Sequence, residues 1–184
     1  MWSEHTRSRD ADGNPPGLRN AFTLVEILIV VVILGILGAV VLPTFTDASH
    51  IARENTLKDE LRYLRTQIVV FKAQHRDVPP GYPPGNRNGT PTSAEFLRQM
   101  TGVSDEPGNV GTASAKYRLG PYLSKMPRNP LNGLDTIMVV SNGQSMPPAG
   151  MPDGSTGWIL KPQTMEIMPN QPGVDADGIR YIEY

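Results

Sequence analysis

A long apolar run near the N-terminus constrains this chain more than any other feature. Residues 22–42 read FTLVEILIVVVILGILGAVVL, and Glu26 is the single charged residue among these 21. As a helix the run would extend about 31 Å, close to the ~30 Å hydrocarbon thickness of a bilayer. A strand of this length would be unusual, and a chain of 184 residues has little interior in which to bury such a helix. The run therefore predicts a membrane-spanning helix.

Composition divides the chain into four regions. They are a polar leader (1–21), the apolar helix (22–43), an amphipathic helical segment (44–77) and a loop-rich C-terminal region (78–184). The C-terminal region holds 15 of the 18 prolines and 14 of the 18 glycines, whereas the amphipathic segment holds neither residue type. The leader has no apolar face to bury, so we expect it to lack regular structure.

The amphipathic segment predicts a continuation of the helix with one buried face. Apolar residues recur at steps of four and three, which is the spacing of one helix face; they are Leu57, Leu61, Leu64, Ile68 and Phe71. Two heptads are too few for a convincing coiled coil, so we expect this face to pack on a sheet of the same chain. Two consecutive prolines at 79 and 80 are expected to end the helix.

The C-terminal region contains short runs with strand character between turn residues. These runs cover residues 136–140, 157–160, 164–168 and 179–184, and residues 93–100 resemble a short helix capped by Ser93. The predicted fold class is α+β, with a long N-terminal helix packed on a small antiparallel sheet that has long loops.

Charge and residue types exclude several functions. The net charge of −1 gives no electrostatic case for nucleic-acid binding. The absence of cysteine excludes disulfides, thiolate zinc sites and a cysteine nucleophile. The three histidines show no metal-ligand spacing, and the sequence has no G-x-S-x-G or H-E-x-x-H motif. We therefore expect a protein without enzymatic activity. We also expect Trp158, Tyr181 and Tyr184 to pack against the sheet and not to bind a ligand.

Glu26 needs an explanation because a carboxylate inside an apolar helix is costly. Insertion into the bilayer centre costs up to ~3 kcal/mol, and less near the interface. Thr23 and Glu26 have the spacing of a capping box, which would satisfy backbone N–H groups at the helix start. An ordinary secretory signal fits poorly because the apolar run is too long and no small-residue cleavage site follows it.

Residues 20–26, Asn-Ala-Phe-Thr-Leu-Val-Glu, followed by an apolar run, resemble the processing site of type IV prepilins and type II secretion pseudopilins. The resemblance implies that prepilin peptidase cleaves between Ala21 and Phe22 on the cytoplasmic side and methylates the new amino group of Phe22. It also implies that Glu26 pairs with the terminal amine of a neighbouring subunit during assembly. Removing either partner of such a pair would leave a costly unpaired charge.

Three further residues bear on this resemblance. Gly35 and Pro43 occupy positions between which filament pilins loosen their helix, and both residue types weaken helices on physical grounds. Glycine and proline are also common in membrane helices and at their ends, which is the alternative explanation. Ala21 departs from the family, which nearly always has glycine before the cleavage site, so slower processing is expected.

The C-terminal region resembles the major pseudopilin of type II secretion. The resemblance is carried by the proline-rich loop 79–84, the run YLSKMPRNP at 122–130 and the Gly-Trp-Ile of 157–159. Major pseudopilins commonly hold this region with a calcium ion, and Asp175 and Asp177 are the candidate ligands here because alternate carboxylates supply hard oxygens. A solvated turn without metal is the alternative. We expect no other cofactor.

The resemblance implies a structural subunit of a periplasmic pseudopilus that drives type II protein secretion. The chain is expected in the bacterial inner membrane, crossing it once with its N-terminus cytoplasmic and its C-terminal region periplasmic. Expected partners are further copies of the chain, prepilin peptidase, minor pseudopilins, the inner-membrane secretion platform and membrane lipid, but no nucleic acid. The alternatives are a type IV pilus pilin for adhesion, motility or DNA uptake, and a signal-anchored periplasmic binding domain that does not polymerise.

Overall fold

The structure is a computed structural model that describes residues 22–184, apart from the side chains of residues 40–47. The predicted leader therefore lies outside the described residues. A long helix, α1, covers Leu24–Gln74. The chain divides between Thr44 and Phe45 into two units, and α1 contributes residues to both.

The second half of α1 supplies the apolar stripe that the sequence predicts. All five residues of the stripe are at most 1% exposed. They belong to one hydrophobic core with Phe96, Met100, Leu123, Trp158 and Leu160. Because a fully buried leucine or phenylalanine contributes about 1.5–3 kcal/mol of hydrophobic free energy, this stripe is the main anchor of the core on α1.

α1 ends before the prolines that were expected to stop it. Arg76 and Asp77 adopt left-handed backbone conformations, with φ of 53° and 62°, which a helix cannot continue through. The N–H of Asp77 donates to the carbonyl of Lys72 at 3.2 Å, and the side chains of these two residues form a 3.1 Å ion pair. The helix end is therefore capped locally by main-chain and side-chain contacts of residues 72–77.

A short helix and a hairpin follow α1. The helix, α2, covers Ser93–Thr101 and is capped by Thr92 instead of the predicted Ser93. The Thr92 hydroxyl accepts the N–H of Glu95 at 3.2 Å, and the extended backbone of Thr92 (φ −136°) is that of a residue just outside a helix. The antiparallel hairpin of β1 (Val103–Ser104) and β2 (Val110–Gly111) was not predicted, because strands of two residues leave no alternating pattern.

Three strands form the main sheet in the order β3-β4-β5. They are β3 (Ile137–Val139), β4 (Trp158–Lys161) and β5 (Glu166–Pro169). β4 and β5 are antiparallel as predicted, but β3 and β4 are parallel. Parallel neighbours need a crossover of about a dozen residues or more, and the long loop between β3 and β4 provides one. The α+β class and the pilin-like arrangement of a long helix with a small sheet are confirmed.

The predicted strand at residues 179–184 is wrong. Tyr181–Glu183 form a 3₁₀ turn, and only an isolated bridge joins Val174 to Arg180. In a 3₁₀ turn, residues three apart lie on the same face, whereas in a strand they lie on opposite faces. Tyr181 and Tyr184 therefore share a face, and their ring centroids lie 5.7 Å apart.

His75 is part of the core and not an exposed ligand. Its ring stacks on Phe71 with a centroid distance of 3.7 Å. Nδ1 lies 2.7 Å from the carbonyl oxygen of Phe71 and Nε2 lies 2.8 Å from Oγ of Ser104. A carbonyl oxygen only accepts, so Nδ1 carries the hydrogen and Nε2 accepts from the Ser104 hydroxyl. Burial lowers the pKa of His75, because it disfavours the charged imidazolium.

We expect His75 to make the protein less stable in mild acid. Below the unfolded pKa of about 6.5, the unfolded chain binds a proton that the folded imidazole resists. Each pH unit between the unfolded and the folded pKa costs about 1.4 kcal/mol of stability, and the loss is absent above about pH 7. Urea unfolding of the full chain at pH 5 and pH 7.5 measures it. The difference between the two pH values should shrink in His75→Gln and persist in His50→Gln; an unchanged difference in His75→Gln would refute this role.

Candidate functional site

Thr23 and Glu26 organise the N-terminal end of α1. One carboxylate oxygen of Glu26 accepts the N–H of Thr23 at 2.8 Å and its hydroxyl at 2.9 Å. The Thr23 hydroxyl oxygen in turn accepts the N–H of Glu26 at 3.2 Å. These reciprocal bonds form the capping box that the sequence predicts, and they satisfy donors that a helix start leaves free. The pairing of Glu26 with a neighbouring subunit stays a prediction.

The first turns of α1 carry an apolar surface that is exposed among the described residues. The large apolar residues from Phe22 to Leu37, here called the apolar helix surface, are between 51% and 87% exposed. Soluble monomers rarely expose contiguous apolar patches larger than a few hundred Å², and larger patches mark interaction sites. Phe22, beside the predicted cleavage site, is 80% exposed.

The other residues predicted for processing and assembly lie along the same segment. Ala21 lies outside the described residues. Gly35 and Pro43 are both within α1, and a side-chain carbon added at Gly35 would meet no heavy atom within 4 Å. Loosening of the helix between them in a filament stays a prediction. Among the described residues, no helix combines the length and the apolar character needed to cross a membrane.

Asp175 does not have the free oxygens that a calcium ligand needs. One carboxylate oxygen accepts the N–H groups of Asp177 and Ile179 at 2.9 and 2.8 Å. The other accepts the Tyr184 hydroxyl at 2.6 Å and lies 3.9 Å from the ammonium of Lys58. The Tyr184 hydroxyl foremost, together with these N–H groups and Lys58, lowers the pKa of Asp175. Donors from the chain thus already surround this carboxylate.

The second predicted ligand does not converge on the first. The side chain of Asp177 is exposed, whereas Asp175 is buried. In the part of the chain that the structure describes, no three His, Cys, Asp or Glu side chains gather in a group that could hold a metal ion. Calcium prefers six to eight oxygen ligands, so this loop does not fit the ion as it is arranged.

Three residues of α1 that bind the C-terminal segment were not among the predicted site residues. They are Glu54, Lys58 and Arg65, of which Glu54 is 5% exposed. The Tyr181 hydroxyl donates to Glu54 at 2.9 Å, and the Arg65 guanidinium donates to the main-chain oxygens of Ile167 and Tyr184. Glu54 lies three residues before Leu57 and therefore on the buried stripe, which was the signal available in the sequence.

Comparison with known proteins places the N-terminal segment in a family. Residues 18–42 match the family described as Prokaryotic N-terminal methylation motif. Competence protein ComGC of Halalkalibacterium halodurans is 34% identical over 58 residues, which are 32% of this chain and 57% of that protein. The chain thus spans just over half the length of this curated relative. No solved structure matches the chain. The prepilin-type methylation motif that residues 20–26 indicate is confirmed in this segment, and it supports the predicted resemblance to type IV pilins and pseudopilins.

Proposed function

We propose that this chain is a structural pseudopilin of type II secretion. Prepilin peptidase cleaves it between Ala21 and Phe22 and methylates Phe22, and the mature subunit polymerises into a periplasmic filament that pushes folded substrates outward. The subunit itself catalyses no reaction. Its partners in this role are further copies of the chain, the minor pseudopilins and the inner-membrane secretion platform.

The observation that carries the proposal is the exposure of the apolar helix surface. Leu24, for example, is 87% exposed. Contact of such an apolar side chain with lipid or with another apolar helix has a lower free energy than its contact with water. Lipid covers this surface before assembly, and the same surface of neighbouring subunits covers it in the filament. One surface thus serves both states, so extraction from the membrane need not expose it to water.

The orientation of the subunit follows from charge. Arg7, Arg9 and Arg19 precede the apolar run, and basic residues beside a spanning segment favour the cytoplasmic side. In this orientation the cleavage site faces the cytoplasm, where prepilin peptidase acts, and the Phe45–Tyr184 unit is periplasmic. The pairing of Glu26 with the terminal amine of a neighbour then compensates a carboxylate that lipid would disfavour.

Intact-mass measurement of the chain purified from membranes tests processing directly. We expect a mass that lacks residues 1–21 and carries one added methyl group, located on Phe22 by fragmentation. The control is the same chain from cells without prepilin peptidase, which should keep its full length. Ala21→Gly should increase the processed fraction in a short pulse, because it restores the residue usual in the family. A full-length chain in cells with active peptidase would contradict the proposal and favour a signal-anchored periplasmic protein.

A type IV pilus pilin is the second candidate function. The similarity to a relative named as a competence protein favours it. Deletion of the gene distinguishes the two functions. Loss of secreted enzymes with normal transformation supports the pseudopilin, whereas loss of transformation with normal secretion supports the pilus.

A further inference from the structure

Three side chains of α1 bind the last residues of the chain directly. Glu54 accepts the Tyr181 hydroxyl at 2.9 Å. Arg65 donates to the main-chain oxygen of Ile167 at 3.1 Å and to that of Tyr184 at 2.5 Å. Lys58 lies between these two contacts along the helix, with its ammonium 4.3 Å from the centroid of the Tyr184 ring. All of these residues belong to the Phe45–Tyr184 unit.

A second set of bonds closes the 174–184 segment on itself. The Tyr184 hydroxyl donates to the carboxylate of Asp175 at 2.6 Å, and the main-chain N–H groups of Asp177 and Ile179 donate to the same carboxylate. The N–H of Asp175 donates back to the carbonyl of Ile179 at 2.8 Å. Asp175 thereby connects the loop, the last tyrosine and, through Lys58, the long helix.

We propose that these contacts form a calcium-independent clasp that holds the C-terminal segment on α1. The clasp consists of Glu54, Lys58 and Arg65 on the helix and of Asp175, Tyr181 and Tyr184 on the segment. Direct side-chain bonds in the clasp stabilise the segment, a role that the sequence predicted for a calcium ion. The proposal is independent of filament assembly, since it concerns the folding of a single chain.

Charge balance supports closure without metal. The clasp contains two buried carboxylates, Glu54 at 5% and Asp175 at 6% exposure, and two cationic side chains. Buried carboxylates are stable when paired and hydrogen-bonded, and both have partners here. A calcium ion on Asp175 would lie beside the Lys58 ammonium and would have to displace the Tyr184 hydroxyl. The like-charge repulsion and the lost hydrogen bond both oppose binding.

Thermal unfolding of the full chain in detergent, with 1 mM CaCl₂ or with EGTA, tests the clasp. We expect Tm of the wild type to agree in the two buffers within experimental error. Tyr184→Phe keeps the ring over Lys58 and removes the hydroxyl bonded to Asp175. We expect it to lower Tm equally in both buffers, by about 3–8 °C, because a hydrogen bond to a buried charge is lost.

Asp177→Asn is the matched control, because it changes the other predicted ligand while leaving the main-chain N–H of residue 177 in place. If the clasp holds the segment without calcium, the Tm of Asp177→Asn equals that of the wild type in both buffers. If calcium raises the wild-type Tm by several degrees and Asp177→Asn abolishes that rise, the segment is a metal site and the clasp is refuted. An unchanged Tm for Tyr184→Phe in both buffers would also refute it.

Discussion

Replacing Glu26 by glutamine is expected to leave the chain cleaved and inserted but to reduce filament assembly by roughly 100-fold to several thousand-fold. Glutamine keeps a side-chain oxygen for the Thr23 N–H and hydroxyl, so the capping box survives. It removes the negative charge that the proposed pairing with a neighbour's terminal amine requires. Breaking a buried ion pair by losing one partner costs about 3–5 kcal/mol, and each 1.4 kcal/mol is tenfold in an equilibrium. The sedimenting filament fraction and electron microscopy measure the loss.

Thr23→Ala separates the capping role of Glu26 from its charge. This variant removes the hydroxyl from the capping box and keeps the carboxylate, at a cost of about 0.5–2 kcal/mol in helix stability. It should therefore assemble far better than Glu26→Gln. Glu26→Leu, which loses both capping and charge, should still be cleaved and inserted but should not assemble. Normal filaments from Glu26→Gln would mean that Glu26 acts only as a cap of its own helix.

The features that the sequence predicts well are local in the chain. The stripe from Leu57 to Phe71 is recognisable because a helix brings residues three and four apart onto one face, whatever it packs against. The capping box of Thr23 and Glu26 likewise depends on four consecutive residues. The prepilin-type motif likewise consists of a few residues directly before an apolar run. Each of these predictions needs only the spacing of neighbouring residues.

The features that the sequence predicts poorly depend on contacts between residues that are distant along the chain. The parallel pairing of Ile137 with Trp158 follows from the path of a long loop, which alternation within either strand does not encode. The 3₁₀ turn at Tyr181 forms where a hydroxyl reaches Glu54, 127 residues away in sequence. Where the spacing of residues is compatible with both a strand and a turn, a distant contact of this kind determines which conformation forms.

The calcium prediction at Asp175 and Asp177 rests on residue spacing alone and stays a prediction. Asp175 and Asp177 have the alternation and the following glycine of many calcium loops. The sequence does not indicate that Tyr184 and Lys58 reach the carboxylate of Asp175 first. A carboxylate's partners must therefore be known before its spacing can be interpreted as a metal site, and in this chain three of those partners are donors of the C-terminal segment itself.

Trp158→Ala is expected to lower the free energy of unfolding by about 3–5 kcal/mol, a large part of the stability of a domain of this size. Trp158 is fully buried at the centre of the sheet, where β4 pairs with both β3 and β5. Its indole N–H donates to the carbonyl of Pro127 at 2.9 Å, so the substitution also removes the donor from this oxygen. Urea unfolding of the full chain, followed by circular dichroism, measures the change.

Two further variants show how much of the destabilisation by Trp158→Ala comes from the buried cavity. One controls for the lost hydrogen bond, and the other controls for the loss of an aromatic side chain at an exposed position. Trp158→Phe keeps much of the buried volume and loses the N–H, so its cost should be lower than that of Trp158→Ala, at about 1–3 kcal/mol. Tyr63→Ala truncates an aromatic residue that is 42% exposed on α1 and should cost about 1 kcal/mol or less. If Trp158→Ala were no more destabilising than Tyr63→Ala, β4 would not be the centre of the core. The Leu57 to Phe71 stripe would then be held by other elements.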